Sequence, residues 1–132
     1  MKRVTGIGGI FFKSSDPESL KDWYRTHLGI EADDHGAMFR WRQLEEPEQE
    51  GLTVWAPFPA DTTYFEPTNA PFMINYTVEN LDAVLEELRK EGVWIDEKVE
   101  DQPYGRFAWI RDLEGNRIEL WEPTEEPATD NE

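Results

Sequence analysis

Cysteine is absent, which excludes disulfides, thiolate metal sites and cysteine nucleophiles together, so any chemistry must use oxygen, nitrogen or a cofactor. Histidine is scarce, with only His27 and His35. Basic side chains are also few. Against 29 Asp and Glu stand 13 Lys and Arg, a formal net charge of -16 that repels nucleic acid phosphates and anionic lipid surfaces. No local basic cluster offsets this charge, so no nucleic acid and no membrane is an expected partner. The acid excess reads as a solvated surface. No apolar run approaches the length of a membrane span, and Met1-Lys2-Arg3 leads into an alternating strand rather than a signal-peptide core. The expected location is the cytoplasm.

What is present suits one compact domain: 132 residues, six of them Trp, with apolar positions spread along the chain. The apolar stretch Gly6 to Lys13 runs into Asp16, placed to cap a helix that Pro17 begins. Leu20, Trp23, Tyr24 and Leu28 recur at helical spacing, and Gly29 stops the helix. Three short strands are predicted next, at Glu31 to Asp34, Ala37 to Gln43 and Leu52 to Pro57, with an acidic loop from Leu44 to Gly51. The same order then returns: a strand at Phe72 to Val78, Asn80 as cap, Leu81, Val84, Leu85 and Leu88 on one helix face, and Gly92 as stop. Strands follow at Val93 to Val99, Phe107 to Arg111 and Arg117 to Trp121, the last two joined by a turn at Asp112 to Asn116.

The two caps lie 64 residues apart and the two glycine stops 63, which makes this an internal repeat whose helix caps should superpose. The organisation read from it is one domain, with module 1 at about 4–57, a Pro-rich linker at 58–71, module 2 at about 72–121 and an acidic tail at 122–132. Several familiar chemistries find no support. GIGG at Gly6 to Gly9 lies within a strand and lacks dinucleotide-loop spacing, no Ser-centred elbow is present, and the loop Glu45 to Glu50 lacks calcium-loop spacing.

Three segments resemble the vicinal-oxygen-chelate superfamily of glyoxalase I, the bleomycin-resistance proteins and the extradiol dioxygenases: SDPESLKDWYRTHLGI from Ser15, INYTVENLDAVLEELRKEGV from Ile74 and DLEGNRIELWEP from Asp112. The last is the most specific, with Gly-Asn and the triplet Ile118-Glu119-Leu120. The resemblance implies an α+β fold of two tandem βαβββ modules, a concave mixed sheet with helices outside, a shared small-molecule cavity and a homodimer. In metal-dependent members it places one ligand at Gly9, one at Met73 and one at Glu119. Glycine offers no donor and a thioether suits hard or borderline ions poorly, so no standard metal and no cofactor is expected. His27 and His35 read as solvated or locally bonded, and no spacing supports a substitute set of His35, Asn75 and Glu119.

Strand alternation puts Ile10, Phe12, Ile74, Tyr76, Val78, Ile118 and Leu120 on a face able to pack beneath helices. The opposite face carries Gly9, Phe11 and Lys13, then Met73, Asn75 and Thr77, then Arg117, Glu119 and Trp121. That mixture suits a ligand pocket. The candidate ligand-binding residues are Phe11, Lys13, Met73, Asn75, Trp109, Arg117 and Trp121, and the candidate catalytic residue is Glu119, expected to border the main cavity. Glu119 is either a carboxyl of raised pKa able to serve as general base, or a partner of Arg117, Arg106 or Lys13. The remaining aromatic residues, Trp41, Trp55 and Tyr64, read as core or pocket wall. Two functions remain open. One is metal-free binding or sequestration of a small aromatic or amphipathic compound, and the other is a lyase, isomerase or dioxygenase-type reaction at a rearranged site around Glu119.

Overall fold

The computed structural model describes residues 2–124. Elements follow in the order β1 (Val4–Ser14), α1 (Pro17–Leu28), β2 (Ala37–Arg42), β3 (Glu50–Pro59), β4 (Phe72–Val78), α2 (Leu81–Lys90), β5 (Ile95–Gln102), β6 (Gly105–Arg111) and β7 (Arg117–Pro123). Both helices start for the same local reason. A side-chain oxygen takes the backbone N–H three residues on, Asp16 from Ser19 at 3.2 Å and Asn80 from Ala83 at 3.0 Å. Gly29 and Gly92 hold the left-handed conformation that ends each helix.

The seven strands form one mixed sheet in the order β2-β3-β1-β4-β7-β6-β5. β1 and β4 pair antiparallel at its centre, and each has a parallel neighbour from its own half, β3 for β1 and β7 for β4. β2 then pairs antiparallel with β3 as β6 does with β7. This is the α+β repeat expected, with one correction. Glu31 to Asp34 is not a strand; only an isolated bridge joins Asp33 to Gly36. The second half carries β5 outside β6, whereas the first half ends at β2, because this stretch closes on itself in a tight turn: the Asp33 carboxylate accepts the His35 N–H. The tail reading also changes. Glu122 and Pro123 belong to β7, and Glu122 accepts the Leu81 N–H at 2.7 Å, satisfying an open donor of the first turn of α2. The rest of the predicted tail, 125–132, lies outside the described residues.

Two apolar clusters occupy opposite faces. Beneath α2, Leu81, Val84 and Leu85 pack with Val78, Ala108, Ile110 and Leu120. α1 covers its half far less. Tyr24 meets Trp55 at a ring distance of 4.8 Å, but Trp23 and Leu28 are exposed and the buried member of the helix is Lys21, whose Nζ donates to the Asp33 carbonyl at 3.0 Å. Ile10, expected beneath this helix, is exposed for the same reason.

The other face is the concave one of the expected fold, and alternation assigned Phe11, Met73 and Trp121 to it. Phe11, Ala56, Met73, Phe107, Trp109 and Trp121 converge there, and the cluster is completed by Phe65 of the linker, which is fully buried. The linker folds back as a plug. Truncation of Phe65 to alanine is therefore expected to cost about 3–5 kcal/mol, whereas Leu28→Ala, at 61% exposure, stays within about 0.5 kcal/mol. Urea unfolding of the two variants measures this difference.

Candidate functional site

Glu119 sits in the middle of β7, between β4 and β6. Strand register sets Asn75 of β4 beside it on one side and Trp109 of β6 on the other. Successive side chains of a strand point to opposite faces, so Ile118 and Leu120 turn towards the α2 side and Glu119 must enter the concave aromatic cluster. It is 2% exposed. A carboxyl at such depth needs hydrogen bonds on both oxygens. Asn75 Nδ2 donates to Oε1 at 2.6 Å, Trp109 Nε1 donates to Oε2 at 3.0 Å, and the Tyr64 hydroxyl donates to Oε2 as well.

Each donor is neutral. Arg117 instead pairs with Asp96 at 3.2 Å and lies over the Trp109 ring, Arg106 pairs with Asp82 and Asp101, and Lys13 lies 5.8 Å from the Phe65 ring centre. The ion pair of Glu119 with Arg117, Arg106 or Lys13 is thus replaced by a shell of dipoles. Burial raises the carboxyl's proton affinity above the ordinary range, opposed by the hydrogen bonds from Tyr64, Asn75 and Trp109 and, more weakly, by the Arg117 charge. Burial likewise raises the Tyr64 phenol, reinforced by the Glu119 charge and hydrogen bond, so Tyr64 stays a neutral donor.

The candidate ligand-binding residues separate into two groups. Phe11, Met73, Asn75, Trp109 and Trp121 are buried together around Glu119. Lys13 and Arg117 share that face but border the cluster. Trp121 donates its indole N–H to the Tyr104 carbonyl at 3.0 Å, and its ring stacks on Phe107, which fixes it as wall. Glu119 is closed off from solvent, with the Tyr64 hydroxyl seated on it. An open cavity of about 340 Å³ lies instead in the first half, lined by Ala56, Phe58, Asp34 and His35 among others. Its position has a simple relation to Glu119. By the 64-residue offset of the helix caps Phe11 corresponds to Asn75, and their parallel-strand partners are Ala56 and Glu119. The first half has a methyl group where the second has the carboxyl.

The role of Tyr64 was the part missed in the sequence. Its signal was Tyr64-Phe65, two adjacent aromatic residues in the Pro-rich linker.

The family model that matches residues 6–120 is that of the Glyoxalase/Bleomycin resistance protein/Dioxygenase superfamily. The chain belongs to this superfamily. Solved structures of similar fold include methylmalonyl-CoA epimerase from Streptomyces coelicolor, at 18% identity over 92% of this chain and 99% of that one, TM-score 0.66. Methylmalonyl-CoA epimerase from Mycobacterium tuberculosis matches at 21% identity over 94% and 91%, TM-score 0.60. The Mn(II)-bound glyoxalase from Novosphingobium aromaticivorans matches at 18% over 98% of this chain and 44% of that one, TM-score 0.60. At these identities the likeness is one of fold. No curated protein matches the chain.

The residues of this superfamily member do not fit the metal that the resemblance implies. At Gly9 the edge of the Phe11 ring lies 2.6 Å from where a Cβ would stand, so no donor side chain enters there. Met73 is fully buried among aromatic rings. Among the described residues no three His, Cys, Asp or Glu side chains gather to hold an ion.

The pH dependence follows from the raised Glu119 proton affinity. The folded chain holds this proton more tightly than the unfolded chain, so the group stabilises the fold under acid and the advantage is lost as pH rises above the ordinary carboxylate range. Thermal unfolding from pH 4 to pH 8 is expected to show wild type losing ground to Glu119→Gln as pH rises. Wild type gaining ground instead would contradict this. Tyr64→Phe, which removes a donor to a buried carboxylate, is expected to cost about 1.5–3 kcal/mol at pH 8.

Proposed function

We propose that this chain binds a small aromatic or amphipathic molecule on the concave face of its sheet, without a metal, and sequesters it. The observation that carries the reading is the composition of the site: one carboxyl, three neutral donors and walls of Phe11, Met73, Phe107, Trp109 and Trp121. Ligand sites are mostly apolar with a few placed polar groups, and this face has that balance. Thermal unfolding in the presence of a panel of small aromatic compounds tests the proposal. A ligand present at 100 times its dissociation constant stabilises by about 2.7 kcal/mol, a readily measured shift. Absence of any shift across planar aromatic compounds at millimolar concentration would overturn it.

A second reading, proton transfer on a small carbonyl compound, is favoured by one observation, the raised proton affinity of Glu119. Two of the proteins of similar fold are epimerases. Glu119-dependent exchange of substrate C–H for deuterium in heavy water would distinguish it from binding alone.

We also infer a homodimer. Val4, Ile7 and Ile10 of β1 and Phe72 of β4 are exposed apolar side chains at the centre of the sheet, where α1 leaves them uncovered, and a second copy would bury them. Light scattering is expected to give twice the 15.5 kDa chain mass, and a monomer at micromolar concentration would contradict it.

A further inference from the structure

We infer that the slot now filled by the Tyr64 side chain is a recognition site for a planar aromatic hydroxyl compound, a phenol, and that Tyr64 is the internal occupant such a ligand displaces. This rests on the binding function proposed above and names its ligand class. The Tyr64 ring is held as a bound phenol would be. It stacks on Phe58 at 5.6 Å with a 13° interplanar angle, meets Trp109 edge-on at 6.4 Å and 88°, and touches Phe65 at 6.3 Å. Its hydroxyl points inward to the buried carboxyl, where it shares Oε2 with the Trp109 indole N–H.

The chemistry of the slot discriminates. A flat ring gains the stacking and edge contacts, and one O–H donor directed at Oε2 replaces the bond that Tyr64 makes. A carboxylate ligand would meet the Glu119 charge, with Arg117 committed to Asp96. An ether of the same shape would leave Oε2 short of a donor in a dry site.

Tyr64 is placed to leave. It is 37% exposed, while its neighbour Phe65 is fully buried, so the tyrosine can swing outward without unplugging the core. Its stretch is held by short local bonds, from the Thr62 N–H to the Pro59 carbonyl, from the Tyr64 N–H to the Thr62 hydroxyl and from the Glu66 N–H to the Thr63 carbonyl. Phe58, the stacking partner, also lines the open 340 Å³ cavity, so a substituent on the phenol has space to run past it.

The test uses the full chain with Tyr64→Gly and two probes of nearly equal shape, phenol and anisole. Thermal unfolding is expected to show phenol binding this variant at least about tenfold more tightly than anisole, the factor expected for a hydrogen bond to a charged acceptor. In wild type, where the ligand must displace Tyr64, 4-ethylphenol is expected to shift the Trp109 indole N–H resonance, assigned by its loss in Trp109→Phe. Equal binding of phenol and anisole would overturn the inference while leaving a general aromatic-binding function in place. Failure of every aromatic probe would remove both. Should Tyr64→Gly not fold, the wild-type titration decides alone, and an unmoved Trp109 resonance at saturating 4-ethylphenol would overturn the inference.

Discussion

A carboxyl group buried at the centre of a sheet and held by neutral donors is the constraint on which the rest of this site depends. An unpaired carboxylate in an apolar interior is expensive, and the cost falls only if its oxygens receive donors. Here the donors come from three separate parts of the chain. Asn75 is fixed by the parallel pairing of β4 with β7, Trp109 by the antiparallel pairing of β6 with β7, and Tyr64 by the fold-back of the linker. Losing any one element exposes or strands the carboxyl. The concave face and the linker therefore meet at Glu119.

The repeat is symmetric in the pairing of the strands both halves share and asymmetric in chemistry. The second half buries a helix face against the sheet and carries the carboxyl. In the first half, Ala56 stands opposite Phe11, the edge strand counterpart to β5 is missing, and α1 leaves Trp23 and Leu28 in solvent. The polar groups lie in the second module and, with Tyr64, in the linker, while the first module supplies wall and cavity. Close approach of backbone to site is part of this division. A Cβ at Gly8 would overlap the Asn75 carboxamide oxygen, which is buried without a hydrogen bond. Asn75 is thereby confined between β1 and Glu119.

Much of this was legible in the sequence because it depends on short spacings. Asp16 and Asn80 announce both helices, and strand alternation alone turns Glu119, Asn75 and Phe11 to one face. What stayed hidden depends on long-range packing. The exception is local: Glu31 to Asp34 is built of residues that strands disfavour, and its backbone turns back through the Asp33 carboxylate. Periodicity in α1 marks an amphipathic helix, but nothing local decides whether a sheet will cover it. The same limit applies to Tyr64. Adjacent aromatic residues in a linker suggest burial somewhere, while the choice of Glu119 as the hydroxyl's acceptor is fixed 55 residues away. Reading Glu119 as either a base or an ion-pair partner omitted a third state, a carboxyl solvated by neutral dipoles.

The most direct measurement of that state is the titration of the Glu119 side-chain carboxyl by carbon-13 NMR, assigned by its loss in Glu119→Gln. The account predicts a midpoint above the ordinary glutamate range, with the Trp109 indole N–H resonance moving over the same pH interval because it donates to the titrating oxygen. A Glu119 midpoint at or below the ordinary range, with the Trp109 resonance indifferent to it, would contradict the account.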